Sequence, residues 1–172
     1  MFVLENLKKT LGKVTGVGRP SASSARRAVR RSKPHALMFK DDGSIPNNSR
    51  LPFLLYRGAV GFTGSADPAG LLEELFQAND WGDSWRNGIY DYVHYHSRTH
   101  EVLGIARGHA RVRFGGNEGK IIALRSGDVV ILPPVRAISA FPQASISWSS
   151  GPIRLPEPTT NACPCPSTAS AP

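Results

Sequence analysis

The sequence has only two cysteines, Cys163 and Cys165, one residue apart near its end. That spacing is too short for an easy disulfide, and without a second cysteine pair there is no cysteine-based zinc framework. A reducing, cytoplasmic setting is the simplest expectation. Apolar runs near 18 residues are missing, so no membrane span is expected. The start, MFVLENLKKTLGKVTGVG, lacks the order of charge then unbroken apolar stretch that marks a secretory signal. Acids are scarce at both ends. Residues 1–40 hold ten Lys/Arg against one Glu, and residues 134–172 hold Glu157 alone. The whole net charge of +8 therefore belongs to an N-terminal arm, densest at RRAVRRSK. Charge by itself permits an anionic partner there. No helix-turn-helix or aromatic platform accompanies it, so nucleic acid is not the expected partner.

What is present falls into three stretches. Residues 1–33 read as a basic helical arm. Phe2, Leu4, Leu7, Leu11 and Val14 recur at helical spacing, and a second helix is expected from about Ser21 to Arg31. Residues 34–133 read as one mainly β domain. A strand is expected at Phe53 to Tyr56, and a helix begins at Asp67-Pro68 with Leu71, Leu72, Leu75 and Phe76 on one face. Further strands are expected at Glu101 to Ile105, Ala110 to Phe114, KIIAL and DVVIL, with GGNEG as a hairpin turn. Short strands at close spacing suggest a sandwich or barrel. Residues 134–172 break the pattern, with eight of the fourteen prolines, seven serines and no alternation. Taken at face value they form a disordered tail.

The stretch GIYDYVHYHSRTHEVLGIARG carries the chemistry. On a regular strand Tyr90, Tyr92, His94 and His96 share a face, with the two imidazoles roughly 7 Å apart. A turn at Ser97-Arg98-Thr99 can bring Glu101 across from the neighbouring strand. Two neutral imidazoles and a carboxylate form a facial triad suited to Fe(II), and also to Mn, Ni or Zn. His100 should face the other way. The plainer alternative is a set of ordinary histidines on a polar sheet face. Two of them at alternate positions beside a Glu argue against it.

The spacing of Gly88, His94, His96, Glu101 and Gly108 resembles the first motif of the cupin superfamily at every defined position. KDDGSIPNNSRLPFLLYRG, WGDSWRNGIYDYVHYHSRTHEVLGIARGHARVRFGG and GDVVILP are similar to a narrower group of uncharacterised bacterial single-domain cupins. The resemblance implies a cupin-type jelly-roll β-barrel with short N-terminal helices and a divalent metal ion inside. It also implies Fe, Mn, Ni or Zn as that metal, a small-molecule ligand, and a homodimer as the assembly.

A second cupin motif runs Gly, five residues, Pro-x-Gly, two residues, His. Gly127 and Pro133 are in register, but Val135 stands for the Gly and Ile138 for the fourth ligand. The departure coincides with the change in composition. A single lost base before Pro134 accounts for both. One set of codons permitted by Pro134 to Pro156, with that base restored, reads AGTGHQRLSASVDFLVVGAYPPA. This returns the Gly and the His in register, followed by an apolar strand. The expectation is thus a domain of residues 34–133, a barrel incomplete at its C-terminal end, and a tail out of frame.

The expected metal ligands are His94, His96 and Glu101. Tyr90, Tyr92 and Arg111 are weaker candidates for a pocket. The leading function is a metal-binding cupin that acts on or binds a small organic molecule. If it is an enzyme, the resemblance implies oxygenase, isomerase or decarboxylase chemistry. The rivals are a non-catalytic module that senses a metabolite or metal, and a non-functional product of a disrupted gene. Fold by itself does not choose between them.

Overall fold

The computed structural model describes residues 18, 20–41, 46–89, 92–134, 138–140 and 146–153. The expected helix over residues 2–15 lies outside them. Two helices are described, α1 (Ala22–Ala28) and α2 (Pro68–Gln77). The strands are β1 (Pro34–Leu37), β2 (Phe53–Tyr56), β3 (Trp85–Asn87), β4 (His100–Phe114), β5 (Lys120–Arg125), β6 (Val129–Leu132), β7 (Ile138–Ala140) and β8 (Ile146–Ile153). They form one antiparallel sheet in the order β1-β2-β6-β4-β8-β3, with β5 and β7 also pairing to β4. The sheet curls into a half-barrel, consistent with an incomplete jelly roll. Two helices pack beside it, so the fold is mixed α/β rather than mainly β.

Strand β4 is the axis of this sheet, and a single irregularity sets its two faces. Leu103 and Ile105 belong to the inner core, while Val102 and Ala106 belong to the outer one. The register shifts between Ile105 and Arg107, and Gly108 adopts a φ of +71°. Such a bulge moves the side-chain alternation by one residue. Beyond it Ala110, Val112 and Phe114 face the inner core, and Arg111 faces out. The two strands expected on either side of Gly108 are therefore one bent strand of 15 residues.

The inner core gathers Phe53 and Leu55 from β2, Val130 and Leu132 from β6, Ile122 and Leu124 from β5, and Ile138 from β7. The outer core gathers Leu71, Leu72 and Phe76 of α2 against Val102, Ala106 and Val129, with Ala25 of α1 at its margin. Helix α2 starts where Asp67 accepts the Gly70 N–H and Pro68 fills the first turn. Its close seat on β4 requires Gly104, because a Cβ there would lie 2.8 Å from Leu72 Cδ1 and 3.0 Å from Phe76 Cζ.

Two expectations need correction. Helix α1 ends at Ala28, earlier than Arg31, because Val29 turns to extended backbone and bridges Val60. Arg30 N–H then donates to Ala59 O at 2.8 Å. Residues 20–33 are thus packed on the domain. The strandless tail is also corrected where the structure describes it. Residues 138–140 and 146–153 pair with β4, since its long bent edge leaves N–H and C=O groups that must be satisfied. Among the described residues no helix is long and apolar enough to cross a membrane.

Candidate metal centre

Glu101 sits near the start of β4, opposite Leu132 of β6, on the same face as Leu103. Only 5% of it is exposed. A carboxylate buried in this way normally collects hydrogen-bond donors. Glu101 accepts no hydrogen bond from a described residue, and its facing group is His96 Nε2 at 3.8 Å. That separation is too long for a hydrogen bond. Burial pushes the Glu101 carboxyl up to about 7. Burial, and then the neighbouring His94, hold the His96 imidazole below its ordinary range. Both groups therefore lean toward their neutral forms, and the contact is not a salt bridge in the usual sense. It is a buried acid beside a largely neutral imidazole, without a hydrogen bond to its carboxyl among the described residues.

His94 completes the cluster. Its Nδ1 lies 3.2 Å from the Tyr92 carbonyl oxygen. A carbonyl only accepts, so Nδ1 is the donor in this contact. The His94 and His96 rings stand 6.1 Å apart and perpendicular, and the Tyr92 ring is 5.5 Å from that of His94. Residues 92–99 are not the regular strand expected for them. Their described pairing is one antiparallel bridge between His94 and Ile138. The physical reason is the brevity of β7, which has three residues and offers only its first to His94.

The same residue, Ile138, pairs with Phe114 on its other side. His94 N–H donates to Ile138 O at 3.1 Å, and Ile138 N–H donates back to His94 O at 2.9 Å. Position 138 is thus directly across from His94. Ile138 is 1% exposed and belongs to the inner core.

The remaining candidates divide. Tyr92 is exposed beside His94. Tyr90 lies outside the described residues. Arg111 is exposed on the outward face of β4, across the sheet from the cluster, and is not brought to it. His100 is half-buried next to Glu101 on the opposite face, and burial lowers its imidazole pKa.

The donor types suit a divalent cation: two imidazoles and a buried carboxylate that lacks a partner. Their spacing is not yet that of a site. Among the described residues no three His, Cys, Asp or Glu side chains are gathered closely enough to hold a metal as they stand. The described contacts bring His96 beside Glu101, with Nε2 3.8 Å from the carboxylate, and His94 beside His96, with ring centroids 6.1 Å apart. His96 is 45% exposed and has room to turn.

Glu101 carries a pH dependence whose sign can be worked out. Its folded pKa of about 7 lies above the ordinary 4.5. A carboxyl with a raised pKa binds its proton more tightly when folded. Stability is therefore unaffected below about pH 4.5, falls as pH rises from there to about 7, and levels off above it. The loss is about 3 kcal/mol for this near-buried group. In chelator, urea unfolding of the native chain at pH 5 and pH 8 should show that loss, and Glu101→Gln should not. Parallel pH profiles for the two proteins would contradict it.

No protein-family model matches the sequence. The chain is 41% identical over 95 residues to the uncharacterized protein YjlB of Bacillus subtilis, covering 55% of this chain and 54% of that one. It thus spans about half the length of the curated relative it matches. Among solved structures it is similar to a DUF861 family protein from Thermotoga maritima, with a TM-score of 0.34 and 21% identity over 48% of this chain and 88% of that one. It is also similar to YcfD, a ribosomal oxygenase from Escherichia coli, in complex with cobalt and succinic acid. There the TM-score is 0.41, with 17% identity over 81% of this chain and 45% of that one.

Proposed function

We propose that this chain is a metal-binding cupin in which His94, His96 and Glu101 hold a divalent cation and present it to a small organic molecule. The observation that carries the reading is Glu101: buried, without a hydrogen bond, and facing His96 Nε2 at 3.8 Å. A cation is the partner that such a carboxyl lacks, because a nearby positive charge restores its ionised form. Iron, manganese, nickel and zinc all accept this donor set. A bound metal would supply Lewis acidity toward a substrate oxygen. His94 is oriented for that role by its Nδ1 bond to Tyr92 O, and Tyr92 forms part of the open rim.

We further infer that the site is impaired in this chain, with residues 134–172 out of frame. The support is positional. Position 138, where the cupin motif has its fourth ligand, pairs with His94 and carries Ile138. The restored reading places VDFLVV over residues 145–150, and β8 covers Ile146–Ile153. A product of a disrupted gene would show the same features, while keeping three of four donors.

Metal titration tests the proposal. The native chain should take up one equivalent of Zn²⁺ or Co²⁺, followed by calorimetry and elemental analysis. Glu101→Gln and His96→Ala should each weaken uptake by about 100-fold or more, beyond the effect of losing a supporting group. Uptake unaltered by both changes would rule the site out. Oxygen-consumption assays with a metabolite panel then separate an enzyme from a binding module.

A further inference from the structure

We propose that the cavity between α1 and the 61–67 loop is a binding site for a small phosphorylated molecule, independent of the metal centre. It has a volume of about 490 Å³, and its wall includes Arg27, Arg30, Thr63, Ser65, Asp67 and Leu71. It lies on the helix-covered outer side of the sheet, whereas Glu101 faces the inner side.

The charges of this wall do not cancel. Arg27 donates to Ser24 Oγ at 3.2 Å, and neither it nor Arg30 pairs with a carboxylate among the described residues. Asp67 is the acid of the wall, and its oxygens are already committed. They accept from Arg86 Nη1 at 3.1 Å, Arg86 Nη2 at 3.0 Å and Gly70 N–H at 3.0 Å. Arg27 and Arg30 therefore bring two guanidiniums to the cavity wall without a carboxylate partner among the described residues, a match for a dianion.

The fold fixes one of them in place. Arg30 N–H donates to Ala59 O and Gly61 N–H donates to Ala28 O, each at 2.8 Å, on either side of the Val29–Val60 bridge. This pairing lays the Arg30 guanidinium over Gly61. A Cβ at Gly61 would lie 2.6 Å from both Nε and Nη2 of Arg30. The next residues form a turn in which Ser65 N–H donates to Phe62 O at 2.9 Å and Gly64 takes a φ of +74°. Arg107 Nη2 holds the loop from outside by donating to Ala66 O at 3.0 Å. The turn carries Thr63 and Ser65 to the cavity, and neither hydroxyl has a partner among the described residues. Guanidiniums and free hydroxyls are the donors that a phosphate monoester takes. The space exceeds what a bare phosphate needs, and Ala28, Pro20 and Leu71 add apolar wall for an organic body. The donors line a recess rather than a strip, which favours a small ligand over a polynucleotide.

Calorimetry on the full chain, in chelator, tests the assignment with ribose 5-phosphate, ribose, inorganic phosphate and a single-stranded oligonucleotide. Ribose 5-phosphate should bind one to one, more tightly than inorganic phosphate, and ribose should not bind. Arg27→Gln with Arg30→Gln should weaken ribose 5-phosphate by about tenfold or more. Gly61→Ala should weaken it too, by moving Arg30 with its charge intact. Both arginines are exposed, so the double variant keeps the fold even if Gly61→Ala does not. Unchanged ribose 5-phosphate binding in the double variant overturns the proposal. So does equal affinity for inorganic phosphate, which marks an adventitious ion only. Tighter oligonucleotide binding with a steep salt dependence overturns it in favour of a polynucleotide surface. Binding in chelator keeps every outcome separate from the fate of the metal reading.

Discussion

Asp128→Ala should lower the unfolding free energy by about 3–5 kcal/mol, the cost typical of breaking a buried ion pair from one side. Asp128 is 0% exposed. Its Oδ2 meets Arg57 Nη1 at 2.7 Å and accepts the Arg125 N–H at 3.1 Å, while Oδ1 accepts the Gly58 N–H at 2.8 Å. One carboxylate thus ties the turn between β5 and β6 to the end of β2. Removing it strands two backbone donors, while the Arg57 guanidinium keeps its bond to Ala123 O. Arg57 is partly solvated, with 37% of its side chain exposed, so much of the loss comes from those backbone groups. Asp128→Asn keeps the shape and some of the bonding and should cost about half as much. Urea midpoints for the three proteins check the order. A loss below 1 kcal/mol for the alanine variant would show that water replaces the carboxylate at little cost.

The second large effect concerns position 138. Ile138→His should raise affinity for Zn²⁺ or Co²⁺ by about 10–100-fold or more, on the scale of changes to groups around a metal. Residues directly paired across antiparallel strands hold their Cβ atoms about 5 Å apart and on one face. Ile138 and His94 are such a pair, with both backbone bonds made. An imidazole at 138 therefore lands beside that of His94. Without metal the change should cost about 2 kcal/mol or more, because it buries a polar ring where Ile138 packs in the inner core. Metal should restore that loss. The chain carrying AGTGHQRLSASVDFLVVGAYPPA from position 134 onward should gain metal without the penalty, and should melt higher than the native chain. Elemental analysis and thermal melts of the three proteins check this. Equal metal content in all of them would remove position 138 from the site.

Local pattern was enough for the elements with strong periodicity or clear punctuation. Phe53–Tyr56 is bounded by turn residues and appears as expected. Helix α2 follows from Asp67-Pro68 and the spacing of Leu71, Leu72 and Phe76. KIIAL and DVVIL lie in β5 and β6 on either side of Ser126-Gly127. The proximity of His96 and Glu101 was also legible, because the two flank one short turn at residues 97–99.

Other features depend on chain partners far away in sequence. Asp128 reads as part of a strand motif until Arg57 and Gly58 are placed against it. Arg27 and Arg30 read as members of a basic run until the 61–67 loop is placed beside them, where both line one cavity. Arg111 was a weaker pocket candidate, and on an unbroken strand it would share the face of Glu101. The bulge before Arg107 reverses that alternation, and no local signal except Gly108 hints at it. The tail looked strandless because its alternation is gone, yet residues 138–140 and 146–153 find backbone partners on β4. Backbone hydrogen bonding does not require a favourable side-chain pattern, only an open edge.

The sequence by itself determined which residue types could meet a metal, and, through its resemblance to the cupin motifs, that position 138 lacks the imidazole that resemblance implies. Those are matters of composition and interval along the chain. Only the tertiary structure decided that position 138 stands opposite His94, that the Glu101 carboxyl is buried without a hydrogen bond among the described residues, and that Arg111 faces away. Each of those follows from strand register and a single bulge, and register is set by pairing between distant segments rather than by neighbours in sequence.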